Sequence, residues 1–352
     1  MNLTLKDALA GGNALNFVRL ALAGMVLLVH SWTLGGYAGA PTLGEIGYGH
    51  LAVAGFFAIS GYLITASRMR LPLGRFLWNR AMRILPGFWV CLVFVAFVLA
   101  PIVSAVAGWN WSPWEALGYV WHNAALVITQ DNIGSTPAGV ALPGMWNGSL
   151  WTLVFEFLAY LCTATLFSLP LARHRPAIVS STMLAVFLAA QFVTPALGVT
   201  SNSILHAMWL GTFYSAGSLL WALSSRIVVS PLALGVALAV FAVAVLTDSI
   251  KTLGAIPFAF IVLALGAVLP VRLGTERDIS YGVYIYAFPL QQALAALGVQ
   301  TAMGVEGFAA MSVGVTLPLA WLSWQFVERP AKGFKLSRFA VRKLQARHLS
   351  GI

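Results

Sequence analysis

Charge is what this sequence has least of. Only 9% of its 352 residues are Asp, Glu, Lys or Arg, against roughly 25% in a soluble globular domain. That shortage excludes an ordinary water-facing surface. Cysteine is nearly absent: Cys91 and Cys162 are the only two, each inside an apolar run. A disulfide scaffold needs more of them, in extramembrane segments, so both read as buried free thiols. Acidic residues number 10 against 20 basic ones, a formal net charge of +10. The basic residues are not interleaved with aromatics but fall between apolar runs, which argues against a phosphate-binding face and against nucleic acid as a partner. A cleaved signal is not expected, because no small-residue cleavage site follows the first apolar run. Internal repeats are lacking, and so are paired broken helices of the kind that mark many secondary transporters.

What is abundant is hydrocarbon. Hydrophobic residues make up 60% of the chain, in runs that recur along nearly its whole length. A bilayer core of about 30 Å needs roughly 20 apolar residues in helical form. Ten runs qualify: 17–34, 50–67, 84–106, 149–169, 177–195, 203–223, 231–248, 253–270, 279–298 and 305–326. The expected fold is therefore all-α, a polytopic membrane protein of about ten transmembrane helices. Residues 1–330 form one membrane domain, and 331–352 form a basic cytoplasmic tail resting on anionic headgroups. With the N-terminus inside, every Lys and Arg except Lys251 falls on the cytoplasmic side, which predicts both termini in the cytoplasm. The longest outer loop, 107–148, has no Lys or Arg but carries Trp109, Trp111, Trp114, Trp121 and Trp146. Those indoles read either as an interfacial belt or as a stacking platform for sugar rings.

Ionisable groups inside apolar spans are costly and so mark function by default. Arg19, His30, Glu156 and His206 lie well inside the runs, with Glu45, His50, Asp248 and Glu306 at their outer boundary. Arg19 and His30 are eleven residues apart, about three turns plus 20°, so they share one face with a rise of about 16 Å between them. That suits a long substrate whose anionic head is held at Arg19 and whose reactive end reaches His30. A histidine merely hydrogen-bonded to a neighbouring helix is the plain alternative, and Arg19 alone could snorkel. Glu156, two turns into its span, is expected at the depth of His30, where it could orient the imidazole or itself accept a proton. Ser60–Gly61 in mid-span reads as a close helix contact. Arg80 and Arg83 share a face at i, i+3 and suit phosphates.

Taken together, these segments resemble the acyltransferase-3 family of membrane acyltransferases, which includes bacterial polysaccharide O-acetyltransferases. The matches run in order: Arg19-x10-His30, FFAISGYLIT around Ser60 and Gly61, Arg80-x-x-Arg83 with Pro86, NGSLWTLVFEF through Trp151 and Glu156, ISYGVYIYAFP with Ser280 and Tyr281, and the closing FVERP. One departure is Ala287, where many members have histidine. The resemblance implies His30 as catalytic base supported by Glu156, with Arg19, Arg80 and Arg83 holding a donor, acetyl-CoA or another acyl-CoA. It also implies a carbohydrate or lipid-linked glycan as acceptor, a bilayer setting (the bacterial inner membrane), and no metal. A transporter or flippase for an anionic or glycosylated lipid is the alternative. A haem carrier ligated by His30 and His206 would need facing axial histidines.

Overall fold

The computed structural model describes residues 3–271 and 277–334; of the expected basic tail 331–352, residues 335–352 lie outside the described residues. A short helix α1 (Leu5–Ala10) leads into α2 (Leu15–Gly35), which Gly36 ends in the left-handed region. A two-stranded hairpin, β1 (Thr42–Leu43) and β2 (Ile46–Gly47), pairs Thr42 with Gly47. Then come α3 (Tyr48–Arg70) and α4 (Leu73–Phe94), which runs through a π-helical turn (Val95–Leu99) into α5 (Ala100–Ala107). Next are α6 (Pro113–Asn123), α7 (Trp151–Leu166), α8 (Pro170–His174), α9 (Pro176–Ala196), α10 (Asn202–Ala222), α11 (Pro231–Leu246) and α12 (Ala255–Val268). The chain closes with α13 (Ser280–Ala296), α14 (Val299–Ser323), a second π turn (Trp324–Glu328) and α15 (Arg329–Gly333).

Each expected span coincides with a helix, but not every helix is a self-sufficient span. Among the described residues, five stretches are long and apolar enough to cross a membrane: Leu15–Gly35, Tyr48–Arg70, Leu73–Ala107, Pro176–Ala196 and Val299–Gly333. The helices α7, α11 and α12 are apolar but have only 16, 16 and 14 residues, short of the roughly 20 a bilayer core asks for. By contrast, α10 and α13 are rich in Ser, Thr, Tyr and Gln and are largely buried by their neighbours. Such helices sit at the centre, where other helices rather than lipid surround them. Outward faces carry exposed Val186, Phe192, Leu232, Leu246 and Phe326, the apolar skin expected of an all-α membrane protein.

Small residues set the tightest contact. A Cβ added at Gly61 of α3 would stand 1.9 Å from the Tyr214 carbonyl oxygen, and one at Gly217 of α10 would stand 1.9 Å from that of Ala58. The two backbones therefore touch reciprocally, as small residues allow in membranes. Gly61 is a packing residue, as expected from sequence; its partner Gly217 is not evident there.

The indole-rich loop follows neither of its two readings uniformly. Trp114 and Trp121 are 78% exposed, whereas Trp146 is fully buried and donates its indole N–H to Thr136 Oγ1 at 3.0 Å. Trp146 anchors the fold of the loop, and the segment after it repairs a helix. Pro289 has no N–H to donate to the Ile285 carbonyl one turn back. Asn147 Nδ2 donates to that carbonyl at 2.8 Å and Cys91 Sγ at 3.3 Å.

Gly61→Ala forces the two helices apart and should cost about 1–3 kcal/mol or more. The expected readout is a lower thermal unfolding transition in detergent, with Ser60→Ala near wild type; equal behaviour of the two would remove the contact argument.

Candidate functional site

Polar side chains gather at two ends of the bundle. The first group is built on Asp278, two residues before α13. Its Oδ2 accepts from Arg19 Nη1 at 2.5 Å and Arg83 Nη2 at 2.6 Å. Its Oδ1 accepts from Ser280 N at 3.3 Å and Ser280 Oγ at 2.5 Å. One carboxylate thus ties α2, α4 and α13 together. Burial alone would raise its proton affinity, but the Arg19 and Arg83 guanidiniums overcome that and hold the carboxyl far below the usual carboxylate range. Asp278 does not stand out in the sequence. The available signal is its place two residues before Ser280, the Asx spacing that bonds back to a helix start.

Beside this cluster is a narrow cleft, lined by Arg19, Phe56, Ser60, Glu156, Tyr281 and Tyr284 among others. Glu156 Oε1 accepts from Ser60 Oγ at 3.3 Å and from the Tyr160 hydroxyl. The Arg80 guanidinium lies 5.9 Å from the centre of the Tyr160 ring, and its buried Nε has no hydrogen-bond partner. Arg83 lies 5.9 Å from the centre of the Tyr281 ring, whose hydroxyl donates to the Ile84 carbonyl at 2.8 Å. The structure therefore brings together Arg19, Ser60, Arg80, Arg83, Glu156, Ser280 and Tyr281, residues from five separate sequence segments. Tyr160, unremarked in the sequence, links Arg80 to Glu156.

His30 stands elsewhere. Its ring meets Phe288 of α13 edge-on at 5.2 Å, and its Nδ1 is buried with no hydrogen-bond partner. A purely structural histidine would be satisfied by a neighbouring helix; this nitrogen is not. Arg19 faces Asp278 and His30 faces Phe288, so both look toward α13, and their shared face is real. Glu156 is not the partner of His30, however. Its carboxylate turns to Ser60 and Tyr160, and the cavity it lines is the one holding Arg19. The expected equal depth fails because Glu156 sits beside Ser60, ten residues along α3 from His50, whereas Val29, next to His30, lies beside Gly49, next to His50.

Between the two ends the α2–α13 seam is packed. Ala23 and Leu27 meet Val283 and Ala287, so the position that carries histidine in the resembled pattern is here part of a dry contact. One turn further, Gln291 Nε2 donates to Leu27 O at 3.0 Å and Ser31 Oγ at 2.9 Å. Off the seam, Phe56 and Tyr284 meet at 5.9 Å, and the Tyr284 hydroxyl is held by Ser149 O at 2.9 Å and Thr152 Oγ1 at 2.6 Å.

The second polar group gathers at the far end. His206 packs on Trp151 with ring centres 4.5 Å apart, and His50 lies 6.3 Å from His206. His30 thus packs on Phe288 and His206 on Trp151, which is not the facing axial pair a haem carrier needs.

The order of these groups along the chain is matched by an acyltransferase domain model over residues 13–324. The chain belongs to the acyltransferase-3 family. It is similar to an O-acetyl transferase of Shigella phage Sf6, 28% identical over 90% of this chain and 95% of that protein. Nodulation protein 10 of Rhizobium leguminosarum bv. viciae is 25% identical over 94% of this chain and 96% of its own length. No solved structure matches.

In this acyltransferase, removing the Asp278 charge leaves two guanidiniums uncompensated. Asp278→Asn should cost about 3–5 kcal/mol, read as loss of folded protein in detergent, with Asp278→Asn/Arg83→Met recovering part of it. Because its folded-state proton affinity is depressed, Asp278 stabilises the fold at every pH above about 3.9, and that contribution fades only as pH falls below this value. A pH-dependent stability gain near neutrality that vanishes in Asp278→Asn would contradict the assignment.

Proposed function

We propose that this acyltransferase transfers an acyl group, most simply acetyl, from acyl-CoA to a hydroxyl of a glycan or glycolipid, with His30 as general base. The observation that carries the reading is an uncommitted, buried imidazole nitrogen on the same helical stripe as Arg19, about 16 Å away by helix rise, where Arg80 and Arg83 of α4 gather beside Arg19. The name of the Shigella phage Sf6 relative, an O-acetyl transferase, supports acetyl as the group and oxygen as the acceptor atom.

The chemistry balances as follows. The acceptor oxygen attacks the thioester carbonyl while a His30 ring nitrogen takes the hydroxyl proton. The carbon–sulfur bond breaks, the CoA thiolate recovers that proton from the imidazolium, and an oxygen ester is formed. Positioned proton transfer of this kind contributes typically about 10²–10⁴-fold.

At the donor end the arginines differ in what they have left to offer. Arg19 and Arg83 are partly neutralised by Asp278, whereas Arg80 keeps a buried, unpartnered Nε. Arg80 is therefore the first candidate for a CoA phosphate, with the remaining donors of Arg19 and Arg83 beside it. Glu156, through Tyr160, holds the surroundings of Arg80 rather than the imidazole. For the pantetheine arm to reach His30, the Phe56 and Tyr284 side chains must turn aside. The arginine end then faces the cytoplasm, where acyl-CoA is made, and the protein resides in a bacterial inner membrane with both termini inside. A flippase reading lacks support, since Ala23, Leu27, Val283 and Ala287 close the α2–α13 seam.

Purified protein supplied with acetyl-CoA and a glycan should consume the thioester and label the glycan. His30→Ala should lower transfer about 10²–10⁴-fold with folding intact, and Arg80→Met should chiefly raise the KM for acetyl-CoA. Substantial transfer by His30→Ala would remove the histidine from the mechanism.

A further inference from the structure

At the end of the bundle opposite the arginine cluster lies an open vestibule. It is lined by Glu45 of the loop between β1 and β2, His50 of α3, Gln191 of α9, His206 and Trp209 of α10, and Lys251 between α11 and α12. The proposed transfer chemistry uses none of these side chains. The vestibule nevertheless adjoins it: His206 packs on Trp151, five residues before Glu156 on α7, and Val29, next to His30, lies beside Gly49, next to His50.

Its chemistry is specific. The charges of Glu45 and Lys251 cancel, with Lys251 Nζ 3.1 Å from Glu45 Oε2 and the Lys251 N–H also donating to Glu45 Oε1 at 3.4 Å. An anionic or cationic ligand would find no spare countercharge. Gln191 spends its amide hydrogens on Thr212 Oγ1 at 2.8 Å and the Lys251 carbonyl at 3.0 Å, so it offers a ligand its carbonyl oxygen. The two imidazoles offer both donor and acceptor nitrogens. Trp209 stands 6.1 Å from His50 and 6.2 Å from His206, supplying aromatic surface beside those polar groups. Among the described residues no three His, Cys, Asp or Glu side chains gather as a metal site. Compensated charge, paired donors and acceptors, and an aromatic wall match a polyhydroxylated ring without net charge.

We propose that this vestibule is the acceptor-binding site and that the glycan residue it holds is an uncharged sugar. The proposal rests on the reading that the protein acylates a glycan, but its test does not require turnover. The Glu45–Lys251 pair sets the selectivity. With Glu45 neutral, Lys251 is unopposed and an acidic sugar becomes acceptable.

The test is carbethoxylation of His50 and His206 by diethyl pyrocarbonate, followed site by site by mass spectrometry on the full-length protein in detergent. The probes are methyl glycosides of neutral hexoses, with methyl glucuronide as the charged counterpart. A neutral glycoside present at about five times its dissociation constant should slow modification of His206 about sixfold, while His122 is unaffected. Methyl glucuronide should protect wild type weakly and Glu45→Gln as well as a neutral glycoside does. Glu45 is exposed, so the substitution leaves the core untouched; His206→Gln, read at His50, repeats the measurement with the aromatic wall weakened and should lose protection. No protection by any neutral glycoside, or stronger protection of wild type by the glucuronide, would overturn the proposal. Protection without consumption of acetyl-CoA would keep the sugar site and sink the acyl-transfer reading instead.

Discussion

A single buried carboxylate holds the arginine end of this molecule together. Asp278 receives Arg19 from α2 and Arg83 from α4, and it bonds back to the first turn of α13 through Ser280. In a low-dielectric interior, two unopposed guanidiniums would be very costly, and one shared acid makes both tolerable. The arrangement also fixes rotation. Once Arg19 and Asp278 are joined, the stripe of α2 that carries His30 must look toward α13 as well, and His30 reaches Phe288 there.

The same constraint explains why the middle of the structure is closed. With α2 and α13 side by side, Ala23 and Leu27 pack on Val283 and Ala287. An alanine at 287 permits that close approach; a histidine there would need both volume and a partner. Contact between the two ends then depends on the flank, where Phe56 and Tyr284 meet. These two aromatic rings divide the arginine end from the end that carries His30.

Around this axis the packing devices are ordinary for a membrane interior. Gly61 and Gly217 let two backbones touch, as small residues do between helices in lipid. Asn147 repairs the carbonyl that Pro289 orphans, because a bare carbonyl in a dry core costs several kcal/mol. The indole-rich loop leaves Trp114 and Trp121 outside but spends Trp146 on its own core. The Asn147 contact meets the demand that no backbone group go unpaired where water is absent.

Local composition determined the all-helical architecture, the positions of the helices, the shared face of Arg19 and His30, and the packing role of Gly61. These follow from hydrocarbon thickness, helix period and the cost of buried charge, which a single strand of sequence carries. Only tertiary structure decided which partners those groups took. Nothing local tells Glu156 to turn to Tyr160 instead of His30, marks Asp278 as the acid between two arginines, or gathers Glu45, His50, His206 and Lys251 into one vestibule. Nor does length reveal that α10 and α13 are central rather than lipid-facing. Those outcomes depend on how helices far apart in sequence are rotated against one another, and that rotation is set by hydrogen bonds spanning as many as 264 positions.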